Sequence, residues 1–149
     1  MTGHDPLLQE VATRLLAETG ASRVTVRRPD AAGEAVLVAE ACAPGVVSMG
    51  RRPVRGVVEA PTYRFLAERR QLLVQEDLTT DSVAPPPSLV ERYGVLAQML
   101  APVCAGEVMV ATISVHEQGR ARRWEEADVD ALRRAQAEVL ATLAKEGRP

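Results

Sequence analysis

The 149-residue chain predicts an α+β fold around a central antiparallel sheet of about five to six strands, and three observations carry that reading. Helical periodicity stands near both ends, at Leu7 to Leu16 and Leu132 to Leu143. Residues 22 to 42 alternate apolar and polar side chains around a turn rich in Pro, Asp and Gly, as a hairpin does. Tyr93 to Glu117 holds two apolar runs around a short connection ending in Gly106. A three-residue loop, Cys104-Ala105-Gly106, puts that glycine where a left-handed backbone is needed and separates the two faces. Gln98, Thr112, Ser114 and His116 then share one face with Leu96 and Leu100. Val95, Ala97, Met99, Ala101, Met109, Ala111, Ile113 and Val115 make the other face wholly apolar. Such a strand pair belongs in the middle of a sheet that is covered on both sides.

Taken in order, Asp5 and Pro6 supply a cap and a first helical position, and Leu7, Leu8, Val11, Leu15 and Leu16 form an amphipathic stripe until Gly20 stops it. Ser22 to Arg28 sets Val24 and Val26 against Arg23, Thr25 and Arg27, a strand with one wet face. Pro29 to Gly33 turns the chain, and Ala35 to Cys42 is the second strand. Ala43 to Ala60 shows no period and is broken by Gly45, Gly50, Pro53 and Gly56, so it is a long loop, of the length that ordered lids and binding elements have. Arg51, Arg52 and Arg55 within it read as a solvated cluster more readily than as an anion site. Pro61 opens a short helix to Arg69 that buries Phe65 and Leu66, and Gln71 to Gln75 returns to strand. Asp77 to Pro87, with three consecutive prolines, cannot join a central strand and runs partly as extended polyproline-like backbone, and Ser88 caps one helical turn before Tyr93. After the second hairpin, Gln118 to Arg123 is a polar surface connection. Glu125 caps the last helix, with Trp124 and Val129 as a hydrophobic staple and Asp128 at the third helical position.

The size suits one domain over residues 1–149, with a core that needs neither disulfides nor metal. A net charge of -2, a pI near 5.7 and one Trp, two Tyr and one Phe speak against nucleic-acid partners and against a membrane surface. The N-terminus lacks the pattern of a signal peptide and no apolar run is long enough to span a bilayer, so a cytoplasmic protein is expected. Cys42 and Cys104 read as packing thiols. No phosphate loop, dinucleotide-binding glycine run, zinc spacing or nucleophile elbow occurs, and no cofactor is expected. His116 is the most versatile candidate, but Ser114 stands about 7 Å away along the strand, which makes a poor nucleophile pair. His4 is discounted as terminal. Glu40, Gln75, Glu76 and Asp77 read as polar groups at strand ends.

The segment Ala97-Gln98-Met99-Leu100-Ala101-Pro102-Val103, then Gly106, Val108 and Ala111-Thr112-Ile113, with Asp128 and Leu132 opening the last helix, resembles the GAF domain, a small-molecule sensing fold related to PAS. The resemblance implies terminal helices on one face of the sheet, and loops and short helices over a pocket on the other. It makes Gln98, Thr112, Ser114 and His116 the pocket floor, and Tyr63 and Tyr93, each a ring with a hydroxyl at the border of a loop, suit its walls. The Asn-Lys-x-x-Phe signature of the cyclic-nucleotide binders is missing, as is the Cys-His pair of the bilin binders. Where the free methionine sulfoxide reductase branch carries carboxylates, this chain has Ser114 and His116. The expected function is therefore a regulatory module for a small organic ligand, acting as a homodimer through the terminal helices or through a separate output protein, with no output domain of its own. The alternatives are a reductase of that enzyme type or a ligand-free structural module.

Overall fold

The computed structural model describes residues 5–50 and 54–146. Four helices and five strands follow the order α1 (Pro6–Thr19), β1 (Arg23–Pro29), β2 (Ala35–Cys42), α2 (Pro61–Arg69), β3 (Leu73–Gln75), α3 (Pro87–Glu91), β4 (Val95–Ala105), β5 (Val108–Gln118) and α4 (Glu126–Glu146). The sheet is antiparallel, in the order β2-β1-β5-β4-β3. The β4–β5 hairpin thus lies in the interior, flanked by β1 and β3. The expectation for Arg51 and Arg52 falls outside the described residues, as does that for His4.

Local chemistry sets the helix ends. Asp5 Oδ1 accepts the amides of Leu7 and Leu8, and Gly20, at φ +62°, closes α1. At α4, Glu125 O accepts from the amides of Asp128 and Val129, and Asp128 Oδ2 accepts from the amide of Glu125. α3 starts two residues earlier than its sequence suggests. The proline run holds the backbone extended through Pro86, which takes the cap, so Ser88 lies inside the turn with its hydroxyl buried.

α1 and α4 lie together on one face of the sheet. Leu8, Val11 and Leu15 from α1 and Leu132, Val139 and Leu143 from α4 pack on Val24, Val26, Met99, Ala101, Ile113 and Val115. Each such side chain contributes about 1.5–3 kcal/mol on leaving water, which makes this layer the main source of stability. Its edge is ionic. The stretch 118–123 is less of a surface connection than its composition suggests: Arg122 is largely buried, pairs with Glu117 at 2.9 Å and Asp128 at 3.3 Å, donates to Thr19 O and lies over the Trp124 ring. The indole N–H of Trp124 donates to Gln75 O.

The hairpin reaches the anticipated division of faces by a different route. The chain turns in two residues, Gly106 and Glu107, with Ala105 opposite Val108. A two-residue turn alone would invert the faces, but a bulge at Val110, between the pairs Val103–Ala111 and Cys104–Met109, restores the parity. Beyond that bulge Met109 swings to the opposite face and packs with Leu66, Leu73 and Leu100. A second bulge at Leu96 does the same to Val95, which joins Met49, Leu78, Leu89 and Tyr93. Met109 and Val95 therefore do not belong to the helix-covered face.

Candidate functional site

The other face of the sheet is the floor of a pocket. Gln98 pairs directly with His116 across β4 and β5, and Leu100 pairs with Ser114. Thr25 lies opposite Ser114, and Arg27 opposite Thr112, across β1 and β5. Directly paired residues point to the same side, so these side chains form one patch. The long loop supplies Met49, Val54 and Val57 above it, α2 supplies Thr62, Tyr63 and Leu66, and Pro86 and Leu89 close a further side. The cavity leaves about 50 Å³ for the centres of water-sized molecules, room for about three to five waters.

Among the described residues, Glu40 and Arg23 fasten the loop to the sheet. Glu40 accepts from the amide of Met49 at 2.7 Å and from the hydroxyl of Ser48, and lies 3.6 Å from Arg23 Nε. Glu40 is therefore a tether of the lid and not a solvated acid at a strand end. Arg23, with no exposure to solvent, also donates to Val47 O and Gln118 Oε1 and lies over the Tyr93 ring. Its charge is thus spent within the protein.

Two polar groups of the floor have unused capacity. Arginine donates only, so the 3.4 Å contact of Arg23 Nη1 with His116 Nδ1 fixes the imidazole as the neutral tautomer with its proton on Nε2. Burial, then the charges of Arg23 and Arg27, hold this histidine well below its ordinary range. Gln98 Nε2 donates to Gln75 Oε1 at 2.7 Å, and Gln75 Nε2 donates to Val83 O at 2.7 Å. That chain fixes both amides and leaves Gln98 Oε1 buried with no partner. An unmatched buried acceptor costs about 1–3 kcal/mol, which makes it a group that a ligand can satisfy. Gln75, placed by its sequence at a strand end, is in fact the support of the floor.

Of the six side chains singled out in the sequence, the structure brings Gln98, Thr112, Ser114, His116 and Tyr63 to the one pocket. Tyr93 goes elsewhere. Tyr93 packs in the neighbouring cluster with Met49, Leu78, Leu89 and Val95 and lines a separate depression with Val47, Arg92 and Gln118. Thr25, Arg27 and Thr62 were not anticipated. Ser114 and His116 do not form a catalytic pair here, because His116 Nδ1 is held by Arg23 and no carboxylate orients the ring.

Neither cysteine lines the pocket. Cys42 ends the edge strand β2 and Cys104 stands near the far end of β4, roughly 14 Å across the sheet and 20 Å along it by strand spacing. A disulfide needs Cα atoms within about 7 Å. Burial and the Glu40 charge push the Cys42 thiol up, away from the reactive thiolate. Among the described residues no three His, Cys, Asp or Glu side chains are grouped to hold a metal ion, and no helix is long and apolar enough to cross a membrane.

The sequence matches the family model of the GAF domain over residues 4–143. A sequence search of characterised proteins gave no significant match. Solved structures similar to this one include the GAF domain of the cyanobacteriochrome TePixJ, with 14% identity, a TM-score of 0.81, and coverage of 95% of this chain and 91% of that one. The photoproduct state of a GAF3 domain from Synechocystis has 15% identity and a TM-score of 0.74, covering 95% and 98%. The phycocyanobilin-bound GAF domain of a cyanobacterial phytochrome has 16% identity and a TM-score of 0.73, covering 93% and 82%. At these identities the likeness is one of fold.

Proposed function

The chain belongs to the GAF domain family, and from that membership we propose that it is a sensory or regulatory module that binds one compact polar molecule over the sheet. The observation that carries this reading is the unpartnered Oε1 of Gln98, held in place by Gln75 beside His116 on the floor of a lidded cavity. The cavity volume favours a molecule of a few heavy atoms over an extended chromophore such as the phycocyanobilin held by one of the similar domains. The same volume, and the absence of both thiols from the pocket lining, weigh against a thiol-based reductase.

Binding would be read out through the lid, which Glu40 ties to β2, and through the sheet to α1 and α4. We infer pairing of two copies along these helices, whose outer side keeps Leu7 exposed and Leu16 and Leu140 half-exposed, or contact with a separate output protein. Sedimentation at micromolar concentration separates the two: a dimer supports the first, and a monomer near 16 kDa leaves the second.

A native mass spectrum of freshly purified protein tests the binding itself. The expected spectrum carries a small added mass that is reduced in Gln98→Leu and His116→Phe, each still folded by circular dichroism. An added mass retained equally in both variants would remove the pocket from consideration and favour a structural or interaction module.

A further inference from the structure

Resting on that reading of the pocket, we propose that the ligand is a short-chain carboxylate carrying a neutral hydroxyl at its other end, with the acid toward Arg27 and the hydroxyl between Gln98 and His116. The two ends of the floor differ in chemistry. At one end Gln98 Oε1 offers only acceptance and His116 Nε2–H offers only donation, on residues that pair directly across β4 and β5. A hydroxyl donates and accepts through one atom and satisfies both. An ammonium satisfies Gln98 but opposes the imidazole N–H, and a methyl group leaves both unmatched.

At the other end stands Arg27, whose protein hydrogen bond is to the carbonyl of Ala35 at 3.2 Å. Among the described residues no carboxylate pairs with it, whereas the deeper Arg23 has Glu40. Among the described residues the pocket lining contains no Asp or Glu, and its other ionisable groups, His116 and Tyr63, are neutral. A half-buried guanidinium at the edge of a mostly apolar pocket, with no acid paired to it, selects an anion, and a carboxylate matches its fork. The cavity volume, about 50 Å³, suits a chain of a few atoms between the two ends.

Four probes of matched length test this by calorimetry on the wild-type protein: 4-hydroxybutanoate, butanoate, 4-hydroxybutanamide and 4-aminobutanoate. The expected order places 4-hydroxybutanoate first, about 5- to 150-fold tighter than butanoate from the unmatched polar pair. It should also bind at least about tenfold tighter than the uncharged amide, as a desolvated charge pair requires. Arg27→Gln should bring 4-hydroxybutanoate down to the level of the amide, and Gln98→Leu should bring it down to the level of butanoate. Equal binding of acid and amide, or of the hydroxy and amino acids, would overturn the proposal while leaving a compact-ligand pocket in place. Failure of all four to bind would also overturn it, and the retained mass in the native spectrum then decides separately whether the pocket reading survives. The wild-type ranking carries the test even if a variant fails to fold.

Discussion

Acidification should weaken the fold through His116, and replacing that one residue by Gln should remove most of the effect between pH 7.5 and 5.5. The imidazole is buried, accepts from Arg23 and lies in the field of Arg27, so its proton affinity in the folded state falls well below the ordinary value of 6.5. A depressed folded-state value gives stability that is present above the unfolded-state value and lost as pH falls below it. Over this interval the unfolded chain gains nearly one proton that the folded chain refuses, at a cost of about 1.4 kcal/mol. Urea unfolding at the two pH values reads this as a fall in midpoint of about 0.5–1.5 M for the wild type. His116→Gln should show a much smaller fall, because His4 and every carboxylate are common to both proteins and cancel in the comparison. Equal falls in the two proteins would show that His116 protonates freely in the folded state, which would contradict the tautomer assigned from Arg23.

Leu132→Ala removes a side chain with no solvent exposure beneath α4 and should cost about 2–5 kcal/mol by urea unfolding, with ligand affinity unchanged once folding is corrected for. Arg122→Ala breaks contacts to Glu117, Asp128 and Thr19 O and should cost about 1–3 kcal/mol, a partly exposed version of breaking a buried ion pair. Its effect should persist at high salt, where a surface pair would be screened. The double variant Cys42→Ala with Cys104→Ala should keep the wild-type unfolding free energy within about 1 kcal/mol and bind ligand as before. A methionine sulfoxide reductase activity lost in that variant would place the protein among oxidoreductases instead.

The element order was legible because each boundary has a local cause: Asp5 and Gly20 around α1, the turn after Pro29, the proline run before α3, and Trp124 and Asp128 at the start of α4. The division of the hairpin was legible too, but for an incomplete reason. Alternation reports which residues share a face, while a bulge is a backbone event with no side-chain signature here, so Val95 and Met109 were assigned to the wrong side. Tyr93 was picked as a ring with a hydroxyl beside a loop, which says nothing of the side it packs on, and it joins Met49, Leu78 and Leu89. Thr25 and Arg27 were visible as a polar strand face, yet period-two alternation cannot distinguish open water from an enclosed polar pocket. Glu40 and Gln75 show a related limit. Their roles as lid tether and floor support depend on partners distant in sequence, Ser48 and Met49 for one and Gln98 and Val83 for the other. Only the assembled sheet brings them together.

The central claim is that the face bearing Gln98 and His116 holds a small molecule, and a high-resolution crystal structure of the purified protein tests it most directly. The expected result is non-protein density in the cavity within hydrogen-bond distance of both Gln98 Oε1 and His116 Nε2, beneath the loop that carries Met49. A cavity closed by the protein's own side chains, with Gln98 Oε1 paired internally, would contradict it.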